Sequence, residues 1–202
     1  MASALPSPAG AFYFDLASPL AYLAAERALQ ALPGVEWRPV LAAKLPRAET
    51  FEAFRCGDEA GAFREDVERR AAQLGLQPLR WPEPFPFDSA LAMNAATYAA
   101  SIGRGVPFAQ AAFRQAFAGG RSLAIADNVL IAAAACEMHP RAVLAAMQRE
   151  AVGEQLLATT QEAARAGVGE VPAVVVGAGR GVFEGELALE QASAAIGAGA
   201  KV

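Results

Sequence analysis

Strand character in this chain is confined to its two ends, and that distribution limits the folds open to it. Ala11 to Leu16 is short, aromatic-rich and bounded by Gly10 and Ser18, the pattern of a strand. Pro19 to Leu32 reads as a helix, with Ser18 at the N-cap, Pro19 in the first helical position and Pro33-Gly34 closing it. Val35 to Leu41 reads as a second strand, so the opening unit is strand–helix–strand with parallel strands and a right-handed crossover. From Thr50 to Gly167 the pattern is helical throughout. Strands return only at Val171–Val176 and Val182-Phe183, and a last helix runs from about Glu186 to Ile196.

The order is therefore βαβ, a block of helices, then αββα. This is an α/β arrangement that fits a thioredoxin-like core over 11–45 and 168–198, with an all-helical insertion and connecting helix over 46–167. Within the insertion, a helix begins near Asp58 and stops at Gly75, and the proline-rich RWPEPFPFD at 80–88 is extended. Asp88 or Ser89 caps the next helix, Asp127 caps NVLIAAAACEM, and His139-Pro140 opens a further helix. With 202 residues, 54% of them hydrophobic, the chain can bury a sizeable core.

Composition removes several function classes. The formal net charge is −4 and like charges never run far, so the basic footprint of a nucleic-acid binder is missing. A single histidine, His139, speaks against a His-based metal site. MASALPSPAG has neither the positive nor the apolar region of a signal peptide, and no apolar run reaches membrane-spanning length. A soluble cytoplasmic protein with free thiols is expected. Cys56 and Cys136 lie far apart in no CxxC arrangement; Cys136 reads as a buried, inert member of an Ala-rich helix, and Cys56 as near charges and exposed.

Three places are candidates for chemistry. Ser18 is first a helix cap, worth roughly 1 kcal/mol. The same geometry puts a hydroxyl beside unpaired N–H groups and a partial positive charge, where an anion or a thiolate is stabilised. Val171-Pro172 is first a plain strand start, since proline cannot donate a ladder bond. If it is cis, it turns a backbone edge outward for an extended ligand, a question the sequence leaves open. Lys44 and Arg47, after the second strand, read first as a solvated loop and second as an anchor for a carboxylate. Trp37, Trp81, Phe85 and Phe87 read as core.

FYFDLASPLAYL, at 12–23, resembles the opening of 2-hydroxychromene-2-carboxylate isomerases and kappa-class glutathione transferases, within the wider DsbA-like thioredoxin superfamily. Ser18-Pro19-Leu20-Ala21 stands where a Cys-Pro-x-Cys would be, so both redox thiols are absent. VEWRPVLAAKL at 35–45, DVERRAAQLGLQPLRWPEPFPFDS at 66–89, FRQAFAGGRSL at 113–123 and ARAGVGEVPAVVV at 164–176 are similar to the family's later segments. The resemblance covers nearly the whole chain.

The resemblance implies glutathione as cofactor, with Ser18 hydrogen-bonding its sulfur and the backbone of Val171 and Pro172 pairing with the tripeptide. It implies a small aromatic or enone carboxylate as substrate, to which the thiol adds, allowing rotation about a double bond before it leaves. Arg47, with Lys44 beside it, is the implied substrate anchor, Asp88 in the proline-rich turn is a further substrate-binding candidate, and a homodimer suits the family. A kappa-like transferase, or a binding scaffold without catalysis, is the alternative. The chain departs from the family at Asp88-Ser89, where Asn usually precedes Ser or Thr, and at Glu170, commonly Gly. It departs again at Phe183-Glu184-Gly185-Glu186-Leu187-Ala188, where Phe-Trp-Gly-x-Asp-Arg is common. There Gly185 and Glu186 are the nearest candidates for the glutamyl end of glutathione, Glu186 one position before the missing Asp.

Overall fold

The computed structural model describes residues 10–48, 57–177 and 181–199. Cys56, residues 1–9 and the centre of the Gly-rich turn at 178–180 lie outside the described residues. Four strands form one sheet: β1 (Gly10–Phe14), β2 (Glu36–Pro39), β3 (Ala173–Val176) and β4 (Gly181–Glu184). Their order is β2-β1-β3-β4, parallel between β1 and β2 and antiparallel across the other two pairs. The parallel pair flanks α1 (Pro19–Ala31), as the strand–helix–strand pattern requires. The strands are shorter than their apolar runs, because Asp15-Leu16 and Val171-Pro172 turn out of the ladder at the same end of the sheet.

Alternation along β1 sorts the core. Phe12 and Phe14 face one side, stack at 6.0 Å, and meet the Trp37 ring edge-on at 5.0 and 5.8 Å. Tyr13 faces the other side with Val40, Val171 and Ala173, packed on Ala163 of the long helix α7 (Glu150–Arg165). On the Phe12 side lie α1 and the last helix, α8 (Ala188–Gly199).

The insertion supplies α2 (Gly57–Gln73), α3 (Ala90–Ser101), α4 (Gly105–Phe117), α5 (Ala126–Ala134) and α6 (Pro140–Gln148). Phe113 of α4 joins it to the core, lying 5.8 Å from Phe14 and 6.2 Å from Tyr22. Trp37 and Phe87 are buried, whereas Trp81 and Phe85 are only partly covered and carry the Arg64 guanidinium over their rings.

Two local expectations differ. Asp127 lies in the first turn of α5 and makes no capping bond; Ile125 holds the N-cap position. Cys136 is not within the helix, because α5 closes early: Glu137 takes a left-handed φ of 58°, and the Glu137 and Met138 amides turn back to the Ala134 and Ala133 carbonyls. Glutamate at that position carries none of the signal a glycine would give. His139, by contrast, caps α6 through Nδ1, which accepts from the Arg141 amide at 3.2 Å.

Candidate active site

Sheet register gathers the functional candidates at one end of the molecule. Tyr13, near the end of β1, pairs with Ala173, the first residue of β3, which in turn pairs with Glu184, the last of β4. The parallel strand β2 finishes at the same end. Ser18, the 42–48 loop, Pro172 and the Gly185-Glu186 turn therefore follow strand ends on the same side of the sheet, although most of the chain separates 18 from 172.

Ser18 is the N-cap of α1. Its Oγ accepts the Ala21 amide at 3.1 Å, its carbonyl accepts the Tyr22 amide at 3.0 Å, and Pro19 fills the first helical position. The residue is 2% exposed. A serine hydroxyl carries one donor as well as its lone pairs, so capping leaves the O–H able to donate. The first turn of α1 itself holds no acidic residue. Positions 18 and 21 hold serine and alanine, so no disulfide exchange can occur at this helix end. Cys136 is buried elsewhere, and burial pushes its thiol up against a smaller opposing pull from Arg104.

The Val171-Pro172 peptide bond is cis. Pro172 is followed directly by β3, and its carbonyl accepts the Gly185 amide at 2.8 Å, tying the proline to the turn after β4. The segment before the proline is held by Glu184. Its Oε1 accepts the amides of Gly169 at 2.5 Å and Glu170 at 3.1 Å, and its Oε2 meets Arg47 at 2.5 Å. Arg47 also lies 3.7 Å from Glu170, and its amide donates to the Gly169 carbonyl at 2.9 Å. Burial alone would raise the Glu184 carboxyl, but the Gly169 amide, Arg47 and the Glu170 amide outweigh it and hold the group below the usual carboxylate range.

The remaining candidates are spread around this centre. Lys44 is exposed. Asp88 is exposed and accepts the Ala90 amide at 2.9 Å, so it serves the start of α3, while Ser89 holds the N-cap position. Glu186 pairs with Arg70 of α2, which also holds Asp66 at 2.7 Å. That pair borders a cleft of about 150 Å³ between α1, α2 and the start of α8, floored by Leu20, Leu23 and Ala24 and crossed again by Arg27 and Glu190. Among the described residues, no group of three or more His, Cys, Asp or Glu side chains is placed to hold a metal ion, and no helix is long and apolar enough to cross a membrane.

The sequence reading gave Asp15 and Arg70 no role, and named Ser89 and Glu184 only as a cap candidate and as departures from the resembled family. Asp15 is 2% exposed, and its carboxylate accepts three hydrogen bonds, from the amides of Ala17 and Ala42 and from the Ser89 hydroxyl. The one available signal was a lone acidic residue closing an aromatic strand. The pairing of Glu184 with Arg47 and of Arg70 with Glu186 carries no local signal, since both partners are met only in the folded chain.

A family model described as a DSBA-like thioredoxin domain matches residues 11–197. No curated protein sequence matches the chain. Among solved structures, it is similar to a 2-hydroxychromene-2-carboxylate isomerase, with a TM-score of 0.79 at 18% identity over 95% of this chain and 96% of the other. It is similar to a probable DsbA oxidoreductase from Streptomyces coelicolor, with a TM-score of 0.75 at 21% identity over 95% and 89% of the two chains. It is also similar to the cytosolic disulfide reductase DsbM from Pseudomonas aeruginosa, with a TM-score of 0.63 at 15% identity over 95% and 98%. At these identities the likeness speaks for the fold.

Proposed function

The chain belongs to the DsbA-like thioredoxin family, and on that footing we propose that it is a glutathione-dependent isomerase of the 2-hydroxychromene-2-carboxylate type. The observation that carries the reading is a serine hydroxyl in the place of the attacking thiol, at a helix N-terminus, at the same sheet end as a cis-proline. With serine and alanine at positions 18 and 21, the sulfur of this chemistry comes from a ligand. The Ser18 O–H donates to the bound thiol, and the helix end favours the thiolate, lowering the thiol pKa from its free value of about 8.5.

The thiolate then adds to the conjugated double bond of a small aromatic or enone acid. A C–S bond forms, the π bond becomes a single bond, and its electron pair is held on the conjugated carbonyl. Rotation about that single bond follows. Expulsion of the thiolate restores the double bond, so glutathione is returned and nothing is consumed. The near-complete burial of Ser18 restricts this chemistry to a sulfur seated at the helix mouth.

A second reading, a binding scaffold without catalysis, is favoured by the engagement of Arg47 with Glu184 and Glu170, which turns the implied substrate anchor toward the protein itself. Calorimetric titration with reduced glutathione separates the two. Binding that weakens in Ser18→Ala supports the isomerase, and product formation without loss of glutathione sets it apart from a kappa-like transferase. Absence of binding at millimolar glutathione leaves the scaffold reading.

A further inference from the structure

The turn between β1 and α1 is fastened on both sides of Asp15. Within the turn, Asp15 Oδ1 accepts the Ala17 amide at 2.9 Å, and the Asp15 carbonyl accepts the Ser18 amide at 3.0 Å. Outside it, Oδ2 accepts the Ala42 amide at 2.9 Å, in the short 3₁₀ segment Ala42–Lys44, and the Ser89 hydroxyl at 3.0 Å, at the start of α3. A second contact with α3 lies one residue on: the Leu16 amide points at Met93 Sδ, 3.2 Å away. Asp15, Ser18 and Ser89 are all buried, so these bonds are made away from water, where breaking them is costly.

We propose that Asp15 is a positioning residue for Ser18: its buried carboxylate joins the 15–18 turn, the 42–44 segment and the N-terminus of α3 into one frame, so that the helical insertion sets the aim of the serine hydroxyl. The acceptor count fits. A carboxylate offers two oxygens and accepts only, and here three donors from three separate segments converge on it. Among the described residues no hydrogen bond joins Ser89 to Ser18 or to the first turn of α1, and the Ser89 hydroxyl reaches the 15–18 turn through Asp15. The Ser18 side chain reports the frame directly, because its Oγ holds the Ala21 amide.

The test uses the full chain without ligand first. Hydrogen exchange at the Ala21 amide is compared in wild type, Ser89→Ala, Ser89→Thr and Asp15→Asn. Exchange is expected to rise by about tenfold in Ser89→Ala, the factor that one net hydrogen bond makes in a local opening equilibrium. Core amides of α4 should stay unchanged, and Ser89→Thr, which keeps the hydroxyl, should restore protection. Asp15→Asn, which offers an N–H₂ group where one acceptor stood, should have the larger effect. Unchanged Ala21 exchange in a folded Ser89→Ala protein overturns the proposal.

Its consequence for thiol binding rests on the reading of Ser18 given above, and a second arm keeps the two apart. Glutathione affinity is measured for Ser18→Ala, Ser89→Ala and the double variant. A positioning role predicts that Ser89→Ala weakens binding severalfold in wild type and adds nothing once Ser18 is gone. Additive losses overturn the positioning role. If wild type binds no glutathione, the function reading fails and the Ala21 amide still decides this one.

Discussion

The Arg47 guanidinium lies 2.5 Å from Glu184 Oε2, so the basic residue after β2 is engaged by the carboxylate that ends β4. Glu184 is one of the positions at which the chain departs from the resembled family, and Glu170 is another. Both meet Arg47, at 2.5 and 3.7 Å. These two departures thus form one cluster around the segment leading into Pro172. A Cβ on Gly169 would lie 2.7 Å from Arg47 Cζ, which shows how closely the guanidinium covers that backbone.

Because the Glu184 carboxyl is held low in the folded chain, its contribution to stability is present above the unfolded glutamate pKa of about 4.3 and is lost as pH falls through the lower folded value. Glu184→Gln should therefore lower stability by roughly 1 kcal/mol at neutral pH. The gap between the two melting curves should close in acid. A gap independent of pH would show that the charge is not what holds the segment.

Ser18→Ala removes the cap of α1, and a loss of about 1 kcal/mol in denaturant unfolding is expected from that alone. The function proposed above requires more: turnover should fall far beyond anything a cap-sized stability change explains. Unchanged turnover would remove Ser18 from the mechanism.

Gly10 opens β1 opposite Val176, and a Cβ there would overlap the carbonyl oxygen of Val175. The obstacle is backbone of the neighbouring strand and not a side chain that can swing away. Gly10→Ala should cost about 1–3 kcal/mol, as overpacking does, seen as an earlier denaturant midpoint.

Phe113 is fully buried between Phe14 of the sheet and Tyr22 of α1. Phe113→Ala should destabilise by about 3–5 kcal/mol. If the insertion packed independently of the core, near-UV circular dichroism and unfolding of the sheet would be little affected, contrary to this expectation.

The thiolate is the reactive form of cysteine, and burial pushes the Cys136 thiol up, so alkylation at this position should be slow in the native protein and fast after unfolding. Peptide-resolved mass spectrometry reads Cys136 apart from Cys56. Rapid native labelling of Cys136 would contradict its placement in the closing turn of α5.

Local chemistry made much of this protein legible in its sequence. The Ser18 cap, the Pro19 start of α1, the His139 cap of α6 and the placing of strands toward the two ends each follow from a few adjacent residues, and the described residues show all of them. The DsbA-like fold followed from their order and from the resemblance. What tertiary structure decided is which distant groups meet. Asp15 and Ser89 are 74 residues apart, and Arg47 and Glu184 are 137 apart. Strand order, the cis state of Val171-Pro172 and the closing of α5 at a left-handed Glu137 belong with them. Periodicity and capping are set by neighbours along the chain, whereas a buried carboxylate or an ion pair takes whichever donors the packed layers bring to it, and no local pattern encodes that choice.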